Sequence, residues 1–163
     1  METICIEIKV ADKGIIQAEL YPEIAPKTVE NFVSLVQSQF YDGLIFHRVI
    51  AGFMIQGGGF DQKMIHHEAK TITGEFAANG FANPLKHTAG VLSMARTNMP
   101  NSASSQFFIM HHDAPHLDGA YAAFGKVTAG MDVVDLIAQA PTDLRDMPLT
   151  PIVIESIRIL DED

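Results

Sequence analysis

Residues 46–60 read FHRVIAGFMIQGGGF. Arg48 stands inside an otherwise apolar run that continues through Phe53 and Met54 to Gln56 and closes on Gly57, Gly58 and Gly59. A guanidinium carries five donors and stays charged, so leaving it unsatisfied in such a run is costly. Either another group holds Arg48 in place, as in a structural ion pair, or it faces a cleft. The three glycines invite a phosphate-loop reading. No GK[ST] ending follows them, however, and no strand-to-helix transition is evident. A flexible turn leaving a strand is the expectation for Gly57–Gly59.

On the N-terminal side, Ile4, Ile6, Ile8 and Val10 alternate with Thr3, Cys5, Glu7 and Lys9, the period of a half-buried strand. Asp12-Lys13-Gly14 supplies a turn in which Gly14 takes positive φ, and Ile16, Ala18 and Leu20 continue the inward face. Pro26 suits a first helical turn. Val29, Phe32, Val33 and Val36 then follow at i, i+3, i+4 and i+7, predicting an amphipathic helix of about three turns. Tyr41-Asp42-Gly43 ends it.

On the C-terminal side, residues 61–86 lose periodicity and read as loops. GVLSMA (90–95), QFFIM (106–110) and residues 122–127 read as strands, and Met131–Gln139 as a second short helix. The connector 96–105, RTNMPNSASS, is long and rich in turn formers, which suits a functional loop. In the last strand Ile152 and Ile154 share one parity, and Ile157 and Ile159 the other. This slip predicts a β-bulge near Glu155-Ser156 that bends the strand around a barrel, the alternative being a strand buried on both faces. Many short strands, two helices and no strand–helix–strand alternation give a mainly β fold. The expected form is a closed antiparallel barrel in a single domain, residues 1–163.

Composition narrows the function classes. The net charge of −9 is wrong for a nucleic-acid binder, which needs a basic stripe. One cysteine, Cys5, allows no intrachain disulfide and no cysteine zinc cluster. No run of about twenty apolar residues and no signal-peptide pattern occurs, so a cytoplasmic protein without membrane association is expected. His112 and His116 are four apart, but Pro115 between them disfavours a helical metal face. His66, His67, His111, His112 and His116 are expected to be solvated loop histidines, with no metal. Ser104 and Ser105 lack a GxSxG elbow and are expected to make local hydrogen bonds.

What remains is Arg48, Gln56 and Gln106 as polar groups beside Phe53, Met54, Phe108 and Leu117. Periodicity alone would make Phe53, Met54 and Phe108 plain core. Taken together, these residues offer neither a general base nor a nucleophile. They suit an apolar ring and the amide beside it. Rotation about an X–Pro bond needs nothing more: its barrier of roughly 18–20 kcal/mol comes from amide resonance, and no covalent bond breaks.

The segments FHRVIAGFMIQGG, GVLSMA, SQFFI and HLDGAYAAFGKV, in that order, resemble the cyclophilin-type peptidyl-prolyl cis–trans isomerases, in particular small single-domain bacterial members. The resemblance implies an eight-stranded antiparallel barrel capped by two helices and an enzyme that assists folding by isomerising X–Pro bonds. It makes Arg48 the catalytic residue and Phe53, Met54, Phe108 and Leu117 the proline pocket. Gln56 and Gln106 would bind substrate amide or carbonyl groups, and Ala95, Arg96 and Thr97 would line the groove for the residue before proline. No cofactor is implied. The implied partners are proline-containing peptides and unfolded protein clients, met by a monomer.

Three departures from better-known members stand out. His116 replaces a tryptophan that contacts the drug cyclosporin, so weak drug binding is expected. Tyr121 replaces a histidine but can still wall the pocket. Arg96-Thr97 replaces Asn-Ala, adding charge that would favour acidic residues before proline. The rival readings are a catalytically silent proline-binding adaptor or chaperone module with the same fold and, further off, a small-molecule or metal-binding barrel.

Overall fold

The computed structural model describes residues 2–160. Met1 and residues 161–163, the two ends of the expected domain, lie outside the described residues.

Eight strands form one antiparallel sheet. They are β1 (Ile4–Val10), β2 (Gly14–Leu20), β3 (Leu44–Ile50), β4 (Met54–Asp61), β5 (Val91–Met94), β6 (Phe107–Met110), β7 (Ala123–Ala129) and β8 (Ile154–Ile159). Their order is β3-β4-β6-β5-β7-β2-β1-β8. The expected first hairpin is present, with Ile8 opposite Ile16 and Val10 opposite Gly14, whose φ is +133°. At the ends of the order, β3 meets the approach to β8. An isolated bridge joins Ile45 to Val153, and the Phe46 N–H donates to the Ile152 carbonyl at 3.0 Å. The sheet is thereby rolled nearly closed into a barrel.

The predicted slip in the last strand is a bulge. Lys9 pairs with Ser156 and Val10 with Ile154, leaving Glu155 as the extra, exposed residue. The bulge lets both Ile154 and Ile157 point into the core despite their opposite parity.

Two helices cap the barrel. In α1 (Pro26–Gln37) Thr28, Val29, Phe32 and Val36 are buried, and the Phe32 ring lies 5.1–5.4 Å from the rings of Tyr41, Phe107 and Phe124. The α1 N-cap is Ala25, which has no capping side chain. Glu75, buried and 47 residues away in sequence, takes over: its Oε1 accepts from both the N–H and the hydroxyl of Thr28 at 2.7 Å. In α2 (Met131–Ala138) Val133, Val134, Ile137 and Ala138 are buried.

One sequence expectation is overturned. Gly57–Gly59 do not form a turn leaving a strand; they lie inside β4. They are glycines because neighbours press on them. A Cβ on Gly57 would sit 2.6 Å from the Ile45 carbonyl oxygen, and one on Gly58 2.8 Å from Tyr41. Between residues 61 and 90 the chain is irregular as expected, apart from one 3-10 turn at Ala77–Asn79.

Candidate active site

Register explains how residues scattered along the chain meet. Arg48 on β3 pairs with Gln56 on β4, Gln56 with Phe108 on β6, and Phe108 with Ser93 on β5. Directly paired residues share a face, so these four side chains form one row across four strands. In the next row Ile50, Met54 and Met110 pair in turn. Their strand neighbours Val49, Ile55, Ile109 and Leu92 belong to the main core. Met54, Phe108, Met110 and Leu117 instead form a second buried cluster with Val91, Ala114 and Ala123. Phe53, Ala95 and Tyr121 pack on it half-buried. That second cluster floors a surface cleft.

The cleft has a volume of about 110 Å³ and is lined by Arg48, Gln56, Phe53, Met54, Phe108, Leu117, Ala95, Arg96 and Tyr121. Such a space takes a small ring and is below the roughly 300–1,000 Å³ of drug-sized sites. Its wall contains no carboxylate, imidazole or thiol. A larger groove of about 510 Å³ adjoins it, sharing Gln56, Ala95 and Arg96 and adding Thr97, Gln106, His66 and Glu68. Thr97 and Gln106 therefore face the groove and not the small cleft.

The polar groups are linked. Gln56 Nε2 donates to Gln106 Oε1 at 3.0 Å, and Arg48 makes a long 3.5 Å contact with Gln56 Oε1. Arg48 is exposed, and among the described residues no carboxylate pairs with it, so the structural ion-pair reading of this residue falls away. It overhangs the cleft with donors to spare.

Arg96 is differently placed. Its guanidinium is sandwiched at 4.7 Å from both the Phe76 and Tyr121 ring centroids. It also donates to the Ala120 carbonyl at 2.7 and 3.3 Å and to the Thr97 carbonyl at 2.9 Å. This charge braces Tyr121 as a wall.

Beneath the cleft lies a group that sequence reading passes over. The buried His87 stacks on Phe108 at 6.1 Å, contacts Asp118 through Nδ1 at 3.1 Å and contacts Ser93 Oγ through Nε2 at 2.9 Å. The network assigns the proton to Nδ1 and makes Nε2 the acceptor of the Ser93 hydroxyl. The trio has the composition of a nucleophilic triad, but Ser93 is fully buried and unreachable. It is a support under Phe108. Burial pushes the His87 pKa down, against the pull of Asp118. The signal available in the sequence was one polar residue, Ser93, in the apolar GVLSMA strand.

The histidine expectation needs correction. His111 is not a solvated loop residue: its Nδ1 accepts from the Gly52 N–H at 2.9 Å and its Nε2 contacts Asp135 at 2.5 Å. His67 bonds Asp61 at 2.9 Å, and His116 stacks on Phe53 at 5.8 Å. Gly52 and Asp135, both distant in sequence, draw the His111 ring out of solvent, while His67 is half-buried beside the nearby Asp61. His66, His112 and His116 are exposed as expected. Among the described residues no group of three or more His, Cys, Asp or Glu gathers as a metal site. No helix among them is long and apolar enough to cross a membrane.

Comparison with known proteins agrees with this geometry. Residues 5–159 match the family described as cyclophilin type peptidyl-prolyl cis–trans isomerase. The chain is 46% identical to a peptidyl-prolyl cis–trans isomerase of Acinetobacter baylyi, over 94% of this chain and 84% of that one. It is 45% identical to one of Streptomyces antibioticus, over 90% and 93%. Among solved structures, a cyclophilin type isomerase of Cryptosporidium parvum superposes with a TM-score of 0.85 at 30% identity, covering 99% of this chain and all of that one. The same parasite enzyme in the presence of the dipeptide Ala-Pro gives 0.83 at 31% identity, over 97% and 99%.

Proposed function

The chain belongs to the cyclophilin-type peptidyl-prolyl cis–trans isomerase family, and we propose that it turns X–Pro bonds in the Arg48 cleft with Arg48 as the catalytic residue. The observation that carries this assignment is a guanidinium that meets no carboxylate among the described residues, set over a ring-sized apolar cleft whose wall has no carboxylate, imidazole or thiol. Chemistry that breaks no covalent bond is what such a wall supports.

In the planar ground state the proline nitrogen shares its lone pair with the carbonyl and accepts no hydrogen bond. As the bond twists, conjugation is lost and the nitrogen becomes an acceptor. A guanidinium N–H of Arg48 donates to it then and not before. An interaction made only in the transition state is the kind that accelerates a step. Phe53, Met54, Phe108 and Leu117 hold the ring while Gln56 and Gln106 bind the flanking backbone. Ala95, Arg96 and Thr97 border the path of the preceding residue. The Arg96 guanidinium, held between two neutral rings at the edge of the groove, keeps its charge there and favours acidic residues before proline.

The natural substrates under this reading are flexible or unfolded proline-containing chains, met by a monomer in the cytoplasm and without nucleic acid or membrane. Cyclosporin is expected to bind weakly, because His116 and not a larger indole stacks on Phe53.

The test is cis-to-trans isomerisation of a short X–Pro peptide by wild type and Arg48→Ala. By analogy with a lost oxyanion donor, the variant should be slowed about 10²–10³-fold while peptide binding changes little. A wild type that binds the peptide without turning it over would make the chain an adaptor, and an Arg48→Ala rate equal to wild type would remove Arg48 from the mechanism.

A further inference from the structure

The hairpin between β3 and β4 turns through Ile50-Ala51-Gly52-Phe53. The Phe53 N–H donates back to the Ile50 carbonyl at 3.0 Å, and Gly52, at the third position, has φ +80°. That is the arrangement of a type II turn, which demands glycine there. In such a turn the central amide, the Gly52 N–H, is left without a partner inside the turn. Here the partner is His111 Nδ1 at 2.9 Å, 59 residues away.

His111 is held for that task. An Nδ1 that accepts a hydrogen bond carries no proton, so the ring proton sits on Nε2 and points to Asp135 of α2 at 2.5 Å. The His111 backbone N–H meanwhile donates to the Phe53 carbonyl at 2.8 Å. One residue therefore clamps both the turn and the wall residue that follows it. A flip of the 51–52 peptide would aim the Ala51 carbonyl at the Nδ1 lone pair, so the neutral ring selects one turn conformation.

We propose that His111 is a positioning residue for the proline pocket: by accepting the Gly52 N–H it fixes the 50–53 turn and so the Phe53 wall, with Asp135 orienting its ring. It lines neither the cleft nor the adjoining groove, and the role rests on the isomerase reading of the cleft. Because the pocket grips the ring equally in the ground and transition states, loosening it weakens binding without slowing the chemical step.

The experiment compares His111→Asn with His111→Gln, reading kcat and KM for an X–Pro peptide and hydrogen exchange of the Gly52 amide. Asn places an acceptor oxygen near the Nδ1 position and cannot reach Asp135. Gln reaches toward Asp135 and leaves Gly52 without its acceptor. For a single net hydrogen bond, His111→Gln should raise KM about three- to tenfold, speed Gly52 exchange about tenfold and keep kcat within about twofold. His111→Asn should stay within about twofold of wild type in each, and Asp135→Ala should move KM in the Gln direction by a smaller factor.

Equal damage in Asn and Gln, or an unchanged KM and Gly52 protection in Gln, overturns the proposal. Gly52 exchange is read without turnover, so a failed isomerase reading and a failed clamp give different results. An inactive wild type sinks the first, and an indifferent Gly52 amide sinks the second.

Discussion

Two glycines separated by one residue on β4 should respond oppositely to the same substitution. In Gly57→Ala the new methyl would sit 2.6 Å from the Ile45 carbonyl oxygen and 3.0 Å from the Phe46 Cα, both backbone atoms of the paired strand β3. Relief requires β3 and β4 to part by roughly half an ångström, in the stretch that carries Arg48 and Gln56. Overpacking of this kind costs about 1–3 kcal/mol, and with main chain as the obstacle the upper half of that range applies. At about 2–4 °C per kcal/mol for a chain of this size, Tm should fall by about 4–12 °C.

In Gly59→Ala the obstacles are the Gln106 Nε2, Cγ and Cδ at 2.5–2.7 Å, all in one flexible side chain. Gln106 can swing away, so the fold should keep its Tm within about 3 °C, the equivalent of 1 kcal/mol. The swing removes the partner of Gln56 Nε2, and with it the support for the residue beside Arg48. Loss of one net side-chain hydrogen bond predicts a three- to tenfold drop in kcat/KM, or about 0.6–1.4 kcal/mol. Thermal unfolding and peptide isomerisation, measured on both variants, test the pair. If Gly59→Ala unfolds as early as Gly57→Ala, or keeps full activity at an unchanged Tm, the reasoning from neighbours to consequence is wrong.

Glu75→Ala should destabilise the fold by about 2–4 kcal/mol, because Thr28 loses two partners in a buried place. Denaturant unfolding reads this, and Thr28→Val in the Glu75→Ala background should add little if the two act as one unit. Stability should also fall with acid between about pH 6.5 and 4. Burial, with the nearby charges of Arg48 and His66, depresses the His47 pKa to about 4, and burial depresses that of His87. A depressed folded pKa means that the unfolded chain takes up the proton first, so stability is full above the unfolded value of about 6.5 and is lost on the way down. For His47 the loss is about 1–2 kcal/mol after allowing for solvent around a ring that is only partly covered. A His47→Gln variant should lose less between pH 7 and 4, and an equal loss would remove His47 as the cause. Between about pH 6 and 9 the isomerase rate should be nearly flat, since no carboxylate, imidazole or thiol lines the cleft.

Local periodicity carried most of the architecture. The alternation of Ile4, Ile6 and Ile8, the 3.6-residue spacing of Val29, Phe32 and Val36, and the parity slip at Glu155-Ser156 each became the element expected. The candidate site was legible for a different reason. Arg48 is conspicuous in an apolar run, and the ordered motifs around it are specific enough to name a family. Gly57–Gly59 misled because glycine marks two physical situations, a free backbone and a crowded one, and only neighbours distinguish them. Met54 and Phe108 could not be assigned to core or cleft from their own strands. Both faces of β6 are apolar, and in β4 Met54 shares its face with the polar Gln56 while glycines fill three positions, so period two shows little contrast.

What the sequence determined by itself was what depends on near neighbours along the chain: strand and helix phases, the hairpin, the bulge, and the presence of a cation with no adjacent acid. Tertiary structure decided what depends on partners far away. Glu75 caps α1 across 47 residues, His87 supports Phe108 from below, Phe76 and Tyr121 grip Arg96, and His111 receives the Gly52 amide across 59 residues. A hydrogen bond or ring contact is satisfied within a few ångströms in space whatever its separation in sequence, so no local pattern announces it. Such contacts arise only when the barrel closes and brings those groups within reach.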